Sequence, residues 1–323
     1  MKNSNDFEDT QEINTVTIED LLQILACPDC RGKLSLSDSA FRCLCCGRRF
    51  PVRGKIVILL PSNLEEEKRN EDGYYKSHRM EGINRPAWMA LALKREDINF
   101  LKRDFLPRHR KEIKGRCLEI GSGSCWGSSL IQKSFPARLK LNIASDVSAV
   151  ALQKGVDIAE LIGANINYFI SCDTERLPFA DNTFDVIFGS AIIHHFSNTA
   201  KGVAEIHRVL ADGGVYLGIN ETVTNSVFNS FSKSSLWHVR GRAKERGITE
   251  KVFGWNEWID VFSQAGFRKV CIDLERNPEY KLRTSARTRT RWLIPVYYKL
   301  ISRFPDFIVR HYLASSISIV ARK

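Results

Sequence analysis

No stretch of the chain approaches the roughly 18 consecutive apolar residues of a membrane-spanning helix, and its first dozen residues, Met1 to Glu12, are polar with several acids. Neither a signal peptide nor a membrane span is expected, so the expected compartment is cytoplasmic, with at most peripheral membrane contact. Acids are scarce relative to bases: 37 Asp and Glu face 48 Lys and Arg, a formal net charge of +11. An anionic partner is implied, whether nucleic acid, phospholipid or a phosphorylated metabolite, and charge alone does not choose among them. The nine cysteines lack the even spread of a disulfide framework, because five fall between Cys27 and Cys46 and the others lie in predicted core strands or a tight turn. A reducing compartment fits that distribution. With 323 residues and 43% hydrophobic content, the chain is long enough for one large domain and a small one.

The cysteine cluster has a spacing with a direct chemical reading. Cys27-x2-Cys30, twelve residues, then Cys43-x2-Cys46 places two knuckles that each turn two thiolates toward one centre. Four sulfurs in that arrangement suit structural zinc, and a core this small needs such a staple. Cys45 is a fifth thiol, read as an unused one. A short amphipathic helix is expected from Ile18 to Leu25, before the first knuckle.

The second informative stretch is Arg116-Cys-Leu-Glu-Ile-Gly-Ser-Gly-Ser-Cys-Trp126. A short apolar run stops at Gly121, and a Gly-x-Gly turn leads into an amphipathic segment: a buried strand, a tight turn and a helix start. Without Cβ atoms, Gly121 and Gly123 allow a sharp bend and close approach to a ligand, and the N–H groups of a helix start favour electron-rich oxygens. Some 25 residues later Leu141 to Ser148 reads as a second strand that ends in Asp146. An acidic residue at that distance accepts hydrogen bonds from ribose hydroxyls in dinucleotide-binding folds.

After a helical segment (Ala149 to Leu161) and a third strand (Asn167 to Ser171) come Cys172-Asp-Thr-Glu-Arg-Leu-Pro-Phe179 and the fourth strand, Phe184 to Ser190. With Glu205-Ile-His-Arg-Val-Leu-Ala-Asp-Gly-Gly214, these motifs resemble, in the right order from Gly115 to Gly218, the class I S-adenosylmethionine-dependent methyltransferases. The branch is the one that includes the ubiquinone/menaquinone C-methyltransferases. The resemblance implies an α/β fold with a doubly wound, seven-stranded Rossmann-like sheet. It implies that Glu119, Gly121 and Gly123 hold the methionine part of the cofactor, Asp146 with Val147 the ribose, Asp173 with Thr174 the adenine, and that Ser190 lines the site. Cys125 departs from the family, which often has a third glycine there. From Leu21 through Ile56 the chain resembles the zinc-ribbon family that includes the activator subunit of tRNA and release-factor methyltransferases, departing at Gly54-Lys55-Ile56-Val57, where that family usually has Gly-Ile-Pro. Cys27, Cys30, Cys43 and Cys46 would hold zinc, and the ribbon either recognises a partner or plugs the fold.

Beyond the fourth strand lie His194 and His195, read as base or substrate contacts or else as packing residues. Methyl transfer from a sulfonium is helped mostly by positioning, with a base needed when the acceptor is a hydroxyl or an acidic C–H. The Asn/Asp-Pro-Pro-aromatic motif of amino-directed nucleic-acid methyltransferases is absent at this point.

The expected organisation is a flexible tail over 1–16, a zinc ribbon over 17–61, a linker and helical lid over 62–113, and a transferase domain over 114–323. Insertions near 221–253 and 275–313 leave from strand ends that overhang the site. The first carries a basic run from Arg240 to Arg246; the second carries Lys281, Arg283, Arg287, Arg289 and Arg291 before several aromatics. Tyr74 and Tyr75 are read as lid or packing residues. The expected function is methyl transfer from S-adenosylmethionine to a small or carrier-linked, anionic metabolite, to oxygen before carbon. One alternative is an RNA base methyltransferase that uses the ribbon and the basic insertions to hold RNA. The other is an inactive binding or activating partner.

Overall fold

The computed structural model describes residues 16–70, 85–224, 251, 253–274 and 316–323. The acidic tail, Tyr74 and Tyr75, the Arg240–Arg246 run and the basic, aromatic second insertion all lie outside them.

Thr17 opens the first helix, α1 (Ile18–Ile24), with a capping box: its side chain accepts from Asp20 N–H, and the Asp20 carboxylate accepts from Thr17 N–H. Leu21 and Ile24 then face inward. Strands β1 (Leu34–Ser37), β2 (Ala40–Cys43) and β3 (Arg49–Arg53) form an antiparallel ribbon, and β3 turns into β4 (Ile56–Ile58). Short helices follow: α2 (Glu66–Arg69), α3 (Ala87–Leu93), α4 (Arg95–Phe100) and, beyond a π turn, α5 (Leu106–Arg108).

The large α/β core alternates β5 (Gly115–Ile120), α6 (Trp126–Ser134), β6 (Leu139–Asp146), α7 (Ala149–Ile162), β7 (Tyr168–Ser171), β8 (Phe184–Ser190), α8 (Thr199–Val209) and β9 (Leu210–Thr224). The short β10 (Phe253–Gly254), α9 (Trp255–Gln264), β11 (Lys269–Leu274) and β12 (Ser316–Arg322) complete it. Strands β7, β6, β5, β8 and β9 are parallel in that order, and β12 and β11 add antiparallel pairs beyond β9. This is the doubly wound seven-stranded core expected from the sequence. Its central strands are buried on both faces, so they read as apolar runs: Leu118, Ile120, Val186, Ile187 and Phe188 have no exposed surface. The strand order reverses at β5, which sets the switch point between β5 and β8, where such sheets hold ligands at their carboxyl ends.

Two features add to the expectation. The ribbon is stitched onto the transferase sheet, because β4 pairs in parallel with β7 (Ile56 with Phe169, Val57 with Ile170, Ile58 with Ser171). Leu21, Phe41 and Phe50 of the ribbon share one apolar core with Leu118, Ile143 and Ile170. Strand β9 also runs on to Thr224, past the expected start of the first insertion. Pairing of Ile317 with Glu221 across β12 sustains it.

Candidate functional site

Three successive strand ends supply the polar groups. At the end of β5 the chain turns through Gly121 and Gly123, both at positive φ (55° and 51°). Gly123 N–H donates to Asp146 Oδ2 at 2.8 Å, and Ser148 N–H donates to Asp146 Oδ1 at 2.8 Å, so one carboxylate at the end of β6 ties the glycine turn to the start of α7. The capping role belongs to Ser148, whose hydroxyl accepts from Ala151 N–H. A side chain at Gly121 would run into Ile192, so the loop after β8 leans on the glycine turn.

Glu119 is committed to the start of α6. Its Oε2 accepts from Ser128 N–H at 2.7 Å and from Ser128 Oγ at 2.5 Å. Burial pushes its carboxyl up to about 7 against the opposing pull of the Ser128 bonds. Cys125 adopts the left-handed conformation (φ 54°, ψ 27°) that a third glycine would relieve, and its thiol fills the space above Gly155 of α7. Packing thus holds a left-handed turn at the position where the resembled family often has glycine.

After β7, Asp173 accepts from Glu175 N–H at 3.0 Å and opens a 3-10 turn over Thr174–Arg176. Lys68 of α2 reaches it from the linker, 2.9 Å and 3.0 Å from its two oxygens and 2.8 Å from Glu175 Oε1. Burial works against the Lys68 charge, but Asp173 and Glu175 outweigh it and raise its pKa.

Across the switch point, Ser190 ends β8 and accepts from the Asn220 side chain at 3.1 Å. Ala191 and Asn220 both lie at positive φ (54° and 60°), backbone strain of the kind that collects at functional sites. His194 Nδ1 stands 2.7 Å from Glu221 Oε2, and Glu221 Oε1 accepts from the N–H groups of Ile192 (3.0 Å) and Ile193 (2.9 Å). Glu221 is fully buried. Burial alone would raise its pKa, but His194 and the two N–H donors hold it below the usual carboxylate range. The His195 ring lies tilted against that of His194, with ring centres 4.1 Å apart. Sequence reasoning misses Lys68, Asn220 and Glu221; for the last two the available signal is an Asn-Glu pair closing an apolar strand.

The cofactor expectation fits these groups chemically. Asp146 and Asp173, each 6% exposed, are acceptor-only carboxylates that suit ribose hydroxyls and an exocyclic amine. Among the described residues, Lys68 is the side-chain donor that meets Asp173 Oδ2.

In the ribbon, the sulfurs of Cys27, Cys30, Cys43 and Cys46 all lie within 4.8 Å of one another, with Cys27–Cys46 at 3.8 Å and Cys30–Cys43 at 3.5 Å. Zinc with bonds of roughly 2.3 Å needs sulfurs about 3.8 Å apart in a tetrahedron, so the group fits. A Cβ at Gly32 would come within 2.6 Å of Cys45 Cβ and 3.0 Å of Cys43 Sγ, so that position must stay bare beside the four sulfurs. Cys45 is outside the group.

Residues 118–218 match the family described as a methyltransferase domain, and residues 19–54 match the Trm112p-like proteins. A malonyl-[acyl-carrier protein] O-methyltransferase of Gallionella capsiferriformans is 24% identical over 165 residues, covering 50% of this chain and 53% of that one. The mitochondrial arginine-hydroxylase NDUFAF5 of Danio rerio is 30% identical over 165 residues, covering 49% and 46%. The chain thus spans about half the length of these curated relatives. A solved structure of a putative sarcosine dimethylglycine methyltransferase from Galdieria sulphuraria shares the fold, with a TM-score of 0.51 at 14% identity over 80% of this chain and 98% of that one. The chain is thus similar to Trm112p-like proteins over 19–54 and to methyltransferase domains over 118–218.

Proposed function

We propose that the chain transfers a methyl group from S-adenosylmethionine to an acceptor whose proton His194 removes. The observation that carries this reading is the His194–Glu221 pair, standing at the carboxyl ends of β8 and β9 beside the glycine turn. Asp146 with Val147 would hold the ribose, Asp173 with Thr174 the adenine, and the turn at Gly121 and Gly123 the methionine part, with Glu119 bracing that turn through α6. Bound there, S-adenosylmethionine supplies an electrophilic methyl group on a sulfonium.

The chain's own residues do the rest. Glu221, locked by two backbone N–H groups, takes the Nδ1–H of His194 and leaves Nε2 as the proton acceptor. As the acceptor loses its proton to Nε2, the imidazolium is balanced by the buried carboxylate. Such a base is needed for a hydroxyl or an acidic C–H and not for a free amine. The substrate is accordingly a small or carrier-linked, anionic metabolite methylated on oxygen before carbon. Domain limits at 17–61 for the ribbon and 114–323 for the transferase complete the reading.

Calorimetric titration of the zinc-loaded protein with S-adenosylhomocysteine tests it. Asp146→Ala should weaken binding by about 1–3 kcal/mol, the cost of leaving buried polar groups unpaired. A folded, ligand-free sample that binds nothing would sink the proposal and favour the inactive-partner reading. A second reading, RNA base methylation, is favoured by one feature, the three exposed arginines of the ribbon strands, Arg42, Arg49 and Arg53.

A further inference from the structure

Between Arg31 and Lys55 the ribbon carries a surplus of basic residues over a single acid, Asp38. Two of the bases are spent on structure: Arg31 binds Glu205 and the Leu177 carbonyl, and Arg48 binds Asp29. Lys55, at the hairpin tip, pairs with Glu160. Arg42, Arg49 and Arg53 are different. All three are exposed, and none forms an ion pair among the described residues. Their alternation with Phe41, Phe50 and Val52, which turn inward, puts them on one outer face.

The register makes that face unusual. Arg42 lies directly opposite Arg49, with Ser35 opposite Arg42 on the next strand. Like charges across a strand pair oppose sheet formation. A ribbon that keeps two arginines there, and a third further along β3, gains when an anion lies across them. The other residues at the paired positions of the face are Ser35, Ser37, Ala40 and Pro51, small and without an aromatic ring, and Leu44, just past β2, adds a single exposed apolar side chain. An interfacial membrane site needs an apolar body and a protein interface is enriched in aromatics, whereas a phosphate backbone needs neither. Guanidinium groups bind phosphate oxygens in pairs, and all three positions are Arg rather than Lys.

The place of the face in the fold points the same way. Arg53 pairs with Ile56, which pairs with Phe169, and two steps on Ile58 pairs with Ser171. Because β3 runs opposite to β4, Arg49 and Arg42 stand toward the carboxyl edge of β7, level with the turn that carries Asp173. At about 4.8 Å per strand, the steps from β3 through β4, β7 and β6 to β5 place the glycine turn roughly 20 Å away along the same edge. No small metabolite spans that distance, but a folded nucleic acid does.

We infer that the Arg42–Arg49–Arg53 face of the ribbon docks the phosphate backbone of a structured RNA. The inference rests on the second reading above, and its failure leaves methyl transfer to a metabolite standing.

The test measures fluorescence anisotropy of a labelled RNA hairpin titrated with the full zinc-loaded chain at several salt concentrations. The triple variant Arg42→Ala/Arg49→Ala/Arg53→Ala should bind at least about tenfold more weakly at moderate salt. Its log–log salt slope should be shallower by about 2–3, because each phosphate left without its arginine removes about 0.7–0.9 from the slope. The corresponding triple Arg→Lys variant should keep the slope. S-adenosylhomocysteine affinity, read on the same samples, should be unchanged in both variants, which separates loss of the face from loss of the fold or of the transferase site. The inference is overturned if the wild-type chain does not bind the hairpin, if the alanine variant keeps its affinity and slope, or if vesicles of anionic phospholipid are bound more tightly than RNA.

Discussion

Glu221 has no solvent-exposed surface, and its oxygens are held by His194 and by the N–H groups of Ile192 and Ile193. A buried carboxylate so fully engaged positions a histidine more firmly than packing would. His194→Ala should lower the methyl-transfer rate by roughly 10²–10⁴-fold, the usual contribution of a general base. Glu221→Gln should lower it by a comparable factor and leave S-adenosylhomocysteine affinity within about twofold, because the amide keeps the packing but, with its oxygen held by the Ile192 and Ile193 N–H groups, turns its NH2 toward Nδ1 and puts the imidazole proton on Nε2. His195→Ala, which leaves the His194–Glu221 contact in place, should cost least. Rates of radiolabelled methyl transfer to the acceptor check the ranking; a His195 variant slower than the His194 variant would reverse the assignment. The Glu221 pKa is depressed, so its contribution to stability is present above the ordinary carboxylate range and is lost as pH falls through its lower folded value.

At the scale of elements, the glycine turn is held by Glu119 at one end and by Asp146 at the other. Burial raises the Glu119 carboxyl to about 7, above its unfolded value near 4.3, so the native state binds the extra proton between those values. Stability should therefore fall as pH rises from about 4.5 to 7. Glu119→Gln keeps an acceptor for Ser128 and should remove up to about 3 kcal/mol of that pH dependence, seen as flatter urea midpoints across the range. A variant with the wild-type slope would show that the carboxylate is ionised throughout. The sequence makes these elements legible where the causes are local. Phe184–Ser190 is a mostly apolar run that follows the polar Asp181-Asn182-Thr183 turn, and the strand has those limits. The end of β9 is not legible in the same way: Asn220 and Glu221 look like loop residues, and only pairing with β12, far along the chain, makes them strand. Lys68 sits in a run of charges, Glu65 to Arg69, that reads as solvated, yet its partners Asp173 and Glu175 come from another part of the chain. The histidine pair is visible in the sequence as a pair, and the carboxylate that distinguishes its members is not.

Across the whole molecule, the question is whether the ribbon is an appendage or part of one fold. Its helix and strands cover the β7 edge that would otherwise present unpaired N–H and C=O groups. It clasps the segment that carries Asp173: Ala26 N–H donates to the Pro178 carbonyl at 3.0 Å, Ala180 N–H to the Ile24 carbonyl at 2.8 Å, and Arg31 to the Leu177 carbonyl at 2.6 Å. Leu21, Phe41, Phe50 and Leu59 are buried in the shared core, and each such side chain is worth about 1.5–3 kcal/mol against exposure. Loss of the metal frees the two knuckles that fix β2 and the end of α1, so the cost falls on the joint core and not on the ribbon alone. Scanning calorimetry should therefore show one transition for the zinc-loaded chain and, after chelation, one transition at lower temperature, with near- and far-ultraviolet circular dichroism changing together. Two separated transitions, the upper one unmoved by the chelator, would show that the transferase core stands without its ribbon and that the β4–β7 pairing contributes little.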